Sequence, residues 1–249
     1  MIRSGESYVI GAKPESGKSW IALAAVVSCL DDARDALYID FETAPESIVE
    51  RLLALGVEAD SVVDRLVYVR PYEPLTGDAL ACLFDDRSYD LAIVDGVSEA
   101  FSLLGLDPNS NPDTARFRAL LARPIAESGA AVLELDHVVK SRETRGRWAI
   151  GSGHKLAGVA VAYSTETITA PSRTSAGLVK LRIEKDRHGR VRSHASGDSI
   201  ALVRIAPSDD GERVSVTLDP PDSTASDGET FRPTASWAES RATSKASPE

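Results

Sequence analysis

The chain has 249 residues, enough for one sizeable α/β domain with a true core and marginal for two. Hydrophobic residues make up 43% and charged residues 27%, the balance of an ordinary globular protein. A net charge of -10 excludes a general polyanion binder, so any nucleic-acid contact must come from a local basic patch.

The first ten residues, MIRSGESYVI, carry no apolar stretch behind a basic start, so no signal peptide is expected. The longest apolar run, Trp20 to Leu30, is interrupted by Ser28 and too short to cross a bilayer. Cys29 and Cys82 fall in helical runs and are expected as buried packing residues, not a disulfide, which suits a reducing compartment. The expectation is a soluble cytoplasmic protein without membrane contact.

In chain order, Ser7–Gly11 reads as a strand, and Lys18–Leu30 as a mostly apolar helix. Ala36–Phe41 is a second apolar strand. Pro45–Leu55 is a helix with Ile48, Leu52 and Leu55 on one face. Leu66–Val69 is a strand, Gly77–Phe84 a helix and Asp90–Asp95 a strand. After a loop rich in Pro and Asn come a helix over Thr114–Glu127 and a strand over Ala130–Asp136. Such alternation predicts an α/β fold with a parallel, doubly wound sheet. Gly158–Thr169, Leu178–Lys185, Arg190–His194, Ser199–Ala206 and Arg213–Leu218 then read as successive strands, an antiparallel extension of the same sheet. The domain is expected over residues 1–218. Residues 219–249 are Ser, Thr, Pro, Asp and Ala with few large apolar side chains. Too little surface is buried there to offset ordering entropy, so a disordered tail is expected.

The segment Ala12-Lys13-Pro14-Glu15-Ser16-Gly17-Lys18-Ser19 fits a phosphate-binding loop with Ala at its first position. A strand precedes it and a helix beginning Lys18-Ser19-Trp20 follows, the context the motif requires. Such a loop turns backbone N–H groups onto the β-phosphate while the helix N-terminus adds a favourable dipole. Gly17 permits close approach, Lys18 reaches the β- and γ-phosphates, and the Ser19 hydroxyl can ligate magnesium. The bland alternative is a chance Gly-Lys-Ser turn, but the strand–loop–helix context favours ATP with Mg2+.

Leu91-Ala92-Ile93-Val94-Asp95 ends four apolar residues in an acid at the strand's C-terminal edge, where open α/β sheets bind ligands. Asp95 suits the Walker B role of holding magnesium through water. A turn-starting Asp is the competing reading. The next residue is Gly96, not a water-activating Glu. Glu42, at the end of the second strand, offers the acid instead and is expected as the general base. Capping the helix at Pro45 is its competing role. Asp40 is expected to face the other side of its strand.

This combination resembles the RecA-like ATPases, in which the catalytic glutamate ends the strand after the phosphate-loop helix and a small residue follows the Walker B aspartate. The resemblance implies that His137, in Leu133-Glu134-Leu135-Asp136-His137, senses the γ-phosphate. It also implies that Lys185 and Arg187 enter a neighbour's ATP site in a homo-oligomer, a hexamer in the helicases of this class. The phrases AIVDGVSEAF, GLDPNSNPD and LELDHVVKSRETRGRWAIGSGHKLAG are similar to RepA-type helicase ATPases of plasmids, phages and actinobacterial mobile elements, often found with primases. The resemblance covers roughly residues 5–195 and implies single-stranded DNA and a primase or other replication partner. No linker helix for ring assembly is visible, so the chain is also readable as one module of a larger machine.

Lys140 to Lys155 holds Lys140, Arg142, Arg145, Arg147 and Lys155 against one acid, Glu143, with Trp148 as a stacking face. Charge with an aromatic suits a sequence-tolerant single-strand binder, with Arg142, Arg145 and Arg147 as the expected contacts. A solvated loop reaching neighbouring subunits is the plainer reading, and His154 and Lys155 can instead point at the nucleotide. Two other functions fit the motifs: a KaiC-like or RadA-like regulatory ATPase acting on proteins, and a nucleotide-dependent interaction module. A small-molecule kinase is disfavoured, because no lid is evident.

Overall fold

The computed structural model describes residues 2–137 and 156–222; the basic segment with Arg142, Arg145 and Arg147, and the tail beyond Asp222, lie outside them. The described strands form one nine-stranded sheet of order β3-β2-β4-β5-β1-β6-β7-β8-β9. Its parallel part comprises β1 (Ser7–Ala12), β2 (Ala36–Asp40), β3 (Leu66–Val69), β4 (Leu91–Asp95), β5 (Ala131–His137) and β6 (Val161–Thr169). The antiparallel part continues from β6 through β7 (Gly177–Asp186), β8 (Ser199–Pro207) and β9 (Val214–Asp219). The chain is thus an α/β RecA-like P-loop fold: a mostly parallel sheet flanked by helices, with an antiparallel extension.

β2 and β4 are buried at every position, because helices cover both faces of the sheet; this is why they read as unbroken apolar runs. Helix α1 (Lys18–Asp31) lies on one face. Its Ile21, Ala22, Leu23 and Val26 join Tyr38, Leu133 and Leu135 in a core that also takes Val179, Val203 and Ile205 from the extension. Helices α2 (Pro45–Ala54) and α3 (Ala59–Arg65) complete that side with Ile48, Leu52 and Val62. The other face carries α5 (Val97–Leu103), α6 (Asn111–Phe117) and α7 (Arg123–Glu127), where Phe101 stacks on Phe117 at 4.4 Å between centroids. The short α4 (Gly77–Cys82) covers the edge near β3 and contributes Leu80.

Four local expectations change. The helix expected over Thr114–Glu127 is α6, one π-helical turn at Arg118–Ala122, and α7. The π turn brings Arg118 onto Glu134 of β5 in a two-pronged pair at 2.9 and 3.3 Å, with side-chain exposures of 10% and 2%. Arg190–His194 is not a strand. The Asp186 carboxylate accepts the N–H groups of Val191 and Arg192, both at 2.9 Å, and winds Arg192–His194 into a 3-10 turn. Cys29 is buried as expected, but Cys82 is exposed; both thiols are free. The short helices α3 and α5 were not anticipated. Among the described residues, no helix is long and apolar enough to cross a membrane.

Cutting one member from a buried ion pair strands the other's charge, at a cost of about 3–5 kcal/mol. Arg118→Leu should therefore lower the thermal midpoint by on the order of 10 °C for a domain of this size. Calorimetry checks this, and an unchanged midpoint contradicts it.

Candidate functional site

Parallel strands end together, so their C-terminal residues meet along one edge. The register sets Ala12 beside His137 and Asp40 beside Asp95. The loop from Lys13 to Gly17 leaves β1 at this edge and turns into α1. Gly17 caps that helix at φ 84°, a left-handed conformation. A methyl added there would stand 2.8 Å from Ile205 Cδ1 and 3.4 Å from Val179 Cγ2, so space as well as conformation demands glycine. Glu15 also adopts positive φ, at 59°. Ser16 is buried and its hydroxyl donates to the Lys13 carbonyl at 2.6 Å, tying the loop to itself, while Lys13, Pro14 and Glu15 are exposed. Ser19 follows in the first turn of α1, partly exposed. Trp20 lies one residue further on, partly packed on the core, with the Arg51 guanidinium 5.7 Å from its ring centroid.

Lys18 is the hub. Its side chain is 7% exposed, and its ammonium stands 3.2 Å from His137 Nε2, 3.5 Å from Glu42 Oε2 and 3.8 Å from Asp95 Oδ1. His137 Nε2 is in turn 3.3 Å from both Glu42 oxygens. Four groups named from sequence thus meet at one point. Partial burial pushes the Glu42 carboxyl up, but Lys18 and then His137 outweigh it and hold it below the usual carboxylate range. Glu42 is therefore ionised at neutral pH. Asp95 goes the other way: burial raises it, and neither Lys18 nor the Tyr38 hydroxyl fully offsets this.

Tyr38 and Asp40 are site residues that the sequence reading missed. The Tyr38 hydroxyl donates to Asp95 Oδ2 at 2.7 Å and fixes that carboxylate from β2. Asp95 Oδ1 is buried with no hydrogen-bond partner, a lone-pair acceptor left ready at the phosphate-loop edge. Asp40 does not face away from the site. It is fully buried and accepts the N–H groups of Glu42 and Thr43, each at 2.8 Å, while the Tyr68 hydroxyl donates to its other oxygen at 3.1 Å. Residues two apart share a side of a strand, so period two itself sets Asp40 on the side of Glu42, and the turn that Asp40 organises aims Glu42 at Lys18. Tyr38 and Tyr68 stack at 6.1 Å behind this pair of acids.

Gly96 adopts φ 81°, and a methyl there would meet the Glu99 carboxylate at 3.2 Å and Glu42 Cβ at 3.3 Å. Glu99, in the first turn of α5, is the third acid of the cluster. One ligating atom each from Glu42, Glu99 and His137 lie within 4.8 Å of one another. On the far side of β5, Asp136 Oδ1 accepts the Ser98 hydroxyl at 2.9 Å and the His137 N–H at 2.8 Å, fixing where β5 ends.

Lys185 and Arg187 are elsewhere. Tyr8 pairs with Val161 and Val161 with Asp186, so this end of β7 is level with the start of β1. Four residue steps of roughly 3.3 Å separate Tyr8 from Ala12, most of the length of β1. Lys185 donates to the carbonyls of Leu156 and Ala157, and Arg187 to that of Ala157. Neither reaches this chain's own phosphate loop.

The model of a family described as AAA domain matches residues 1–143, more than half of the chain. The chain belongs to this AAA family. The match runs from β1 through β5 and so includes the loop, Glu42, Asp95 and His137. No curated protein matches the chain. As an AAA domain with a RecA-like P-loop fold, the chain is a P-loop ATPase of the RepA type.

Proposed function

We propose that the AAA domain hydrolyses ATP at the edge formed by β1, β2, β4 and β5 and uses the energy for work on single-stranded DNA, as a RepA-like helicase component. One observation carries the catalytic part: Lys18, Glu42, Asp95 and His137 converge beside the loop. The backbone N–H groups from Glu15 to Ser19 cradle the β-phosphate, and Lys18 turns from its acid partners to the β- and γ-oxygens. Ser19 and Asp95 would hold magnesium; the orphaned Asp95 Oδ1 fits that duty, and the ion when bound neutralises charge between the two phosphates. Glu42 orients the attacking water and takes one of its protons as the oxygen bonds to the γ-phosphorus. The bond from γ-phosphorus to the bridging oxygen breaks, and ADP and phosphate leave. His137, close to Lys18, is placed to contact the γ-phosphate.

Arg142, Arg145 and Arg147 supply the DNA contact in this reading, with Trp148 stacking on a base. The test is the ATPase rate with and without single-stranded DNA, with mass measured under nucleotide. DNA stimulation together with a ring supports the helicase reading. Turnover indifferent to DNA favours a regulatory ATPase acting on proteins, and absence of turnover favours an interaction module.

The position of Arg187 at the far end of the sheet suits action on a neighbouring subunit, because it is too distant for its own site. Arg187→Ala protein should bind ATP within a few-fold of wild type. Its hydrolysis should fall roughly a hundredfold, less than a full arginine finger supplies because Lys185 remains. Mixing it with Glu42→Gln protein should restore part of the rate, since some interfaces would pair an intact glutamate with an intact arginine. A monomeric mass under ATP and DNA, with turnover independent of protein concentration, contradicts the shared site.

A further inference from the structure

Among the described residues, Glu99 has no evident structural duty. It occupies the third position of α5, where an acid commonly reaches back to the N–H of the capping residue. Here the cap is Gly96, and no hydrogen bond links it to Glu99. Instead Glu99 Oε2 is buried and unpartnered. A buried carboxylate oxygen left without a donor is costly, on the order of 1–3 kcal/mol or more. Its direction explains where the donor belongs. Glu99 shares the 4.8 Å cluster with Glu42 and His137, and the bare Gly96 gives it room there, since a methyl would stand 3.2 Å from Glu99 Oε2 and push it aside by a few tenths of an ångström.

The geometry points to Glu99 as a second water-holding carboxylate of the hydrolytic centre, a catalytic residue that rests on the ATPase reading above. The two acids approach from different elements, Glu42 from the turn after β2 and Glu99 from α5. A water between them donates one proton to each carboxylate, leaving its oxygen lone pair free to face the γ-phosphorus. Glu42 removes its proton as the P–O bond forms; Glu99 keeps its hydrogen bond and fixes the angle of approach. A three-ligand metal site is the rival reading of the same cluster. It is disfavoured because the Lys18 ammonium already lies 3.2 Å from His137 Nε2 and 3.5 Å from Glu42, filling the cationic place. The sequence gives only an indirect sign of this arrangement: the acid absent immediately after Asp95 is supplied one helical turn later, behind a glycine.

The experiment compares single-turnover ATP hydrolysis with affinity for a non-hydrolysable ATP analogue in the full chain. Glu99→Gln should lower the hydrolysis step about ten- to thirtyfold while affinity stays within threefold, since alignment is lost but the base remains. Gly96→Ala should show the same split with both carboxylates present. The folding midpoint of Glu99→Gln should match wild type. Wild-type hydrolysis by Glu99→Gln overturns the inference. So does a rate loss that follows weakened affinity or a lowered midpoint. If Lys18→Ala and Glu42→Gln are inactive while Glu99→Gln is normal, the inference fails and the ATPase reading stands. If the wild-type chain itself has no turnover, the reading fails and the inference with it.

Discussion

Lys18→Ala protein should show no measurable ATP hydrolysis and should bind ATP roughly a hundredfold more weakly, the loss expected when charge-assisted hydrogen bonds worth about 3 kcal/mol are removed. The structure adds a reason beyond the phosphates. The Lys18 ammonium is the counter-charge shared by Glu42 and Asp95, and it stands 3.2 Å from His137 Nε2. It lies in a site where burial already pushes Asp95 toward its neutral form. Without Lys18, Asp95 should take up a proton more readily and become a poorer partner for magnesium. Lys18→Ala should thus impair both the phosphate contact and the metal-dependent part of binding. Titration calorimetry with and without magnesium, beside a phosphate-release assay, separates the two. Wild-type turnover in this variant contradicts the phosphate-loop assignment.

Glu42→Gln should keep ATP affinity and lose turnover by about a thousand- to ten-thousandfold, the upper range for removing a general base. The amide keeps the shape of the carboxylate and the Asp40-organised turn that carries it, but cannot accept the proton of the attacking water. The pH dependence follows from the depressed value of this carboxyl. Its folded-state pKa lies below the ordinary one, so the ionised base persists at neutral pH and is lost only as pH falls through the lowered value. The rate at low ATP, which reports the nucleotide-free enzyme, should therefore hold through mildly acidic pH and fall below the usual carboxylate range. When phosphates draw Lys18 away, the main restraint on Glu42 is relieved and its basicity rises, so nucleotide binding itself prepares the base. A normal rate in Glu42→Gln moves the role to another acid, with Glu99 first to test.

Much of the site was readable because the residues concerned stand at the ends of apolar strands or inside a loop of fixed spacing. Lys18, Glu42, Asp95 and His137 each carry such a local mark. Tyr38 and Asp40 do not. Their work depends on which residue ends β2 and on what lies across from it on β4, facts set by tertiary pairing. Glu99 is legible in the sequence only as a fallback acid after Glu42, together with Asp136; its placement is not, because α5 is seven residues long and its acid resembles any first-turn acid until Gly96 is seen beside Glu42. The sheet order required long-range contacts, whereas the alternation of strands and helices needed only period and turn signals. The supposed strand at Arg190–His194 misled because nothing local reveals that the Asp186 carboxylate will capture its amides.

The glycine of the phosphate loop has a ceiling made of Ile205 and Val179, side chains from strands that lie well beyond residue 143, where the family match ends. The recognisable portion of this chain and the packed core that shapes its loop therefore have different lengths. A fragment ending at the family boundary would keep every residue of the loop and lose the wall that presses it into shape, along with Val179, Val203 and Ile205 from the core beneath α1. A bulkier side chain at position 205 would be felt as altered nucleotide binding, nearly two hundred positions away from the glycine it touches.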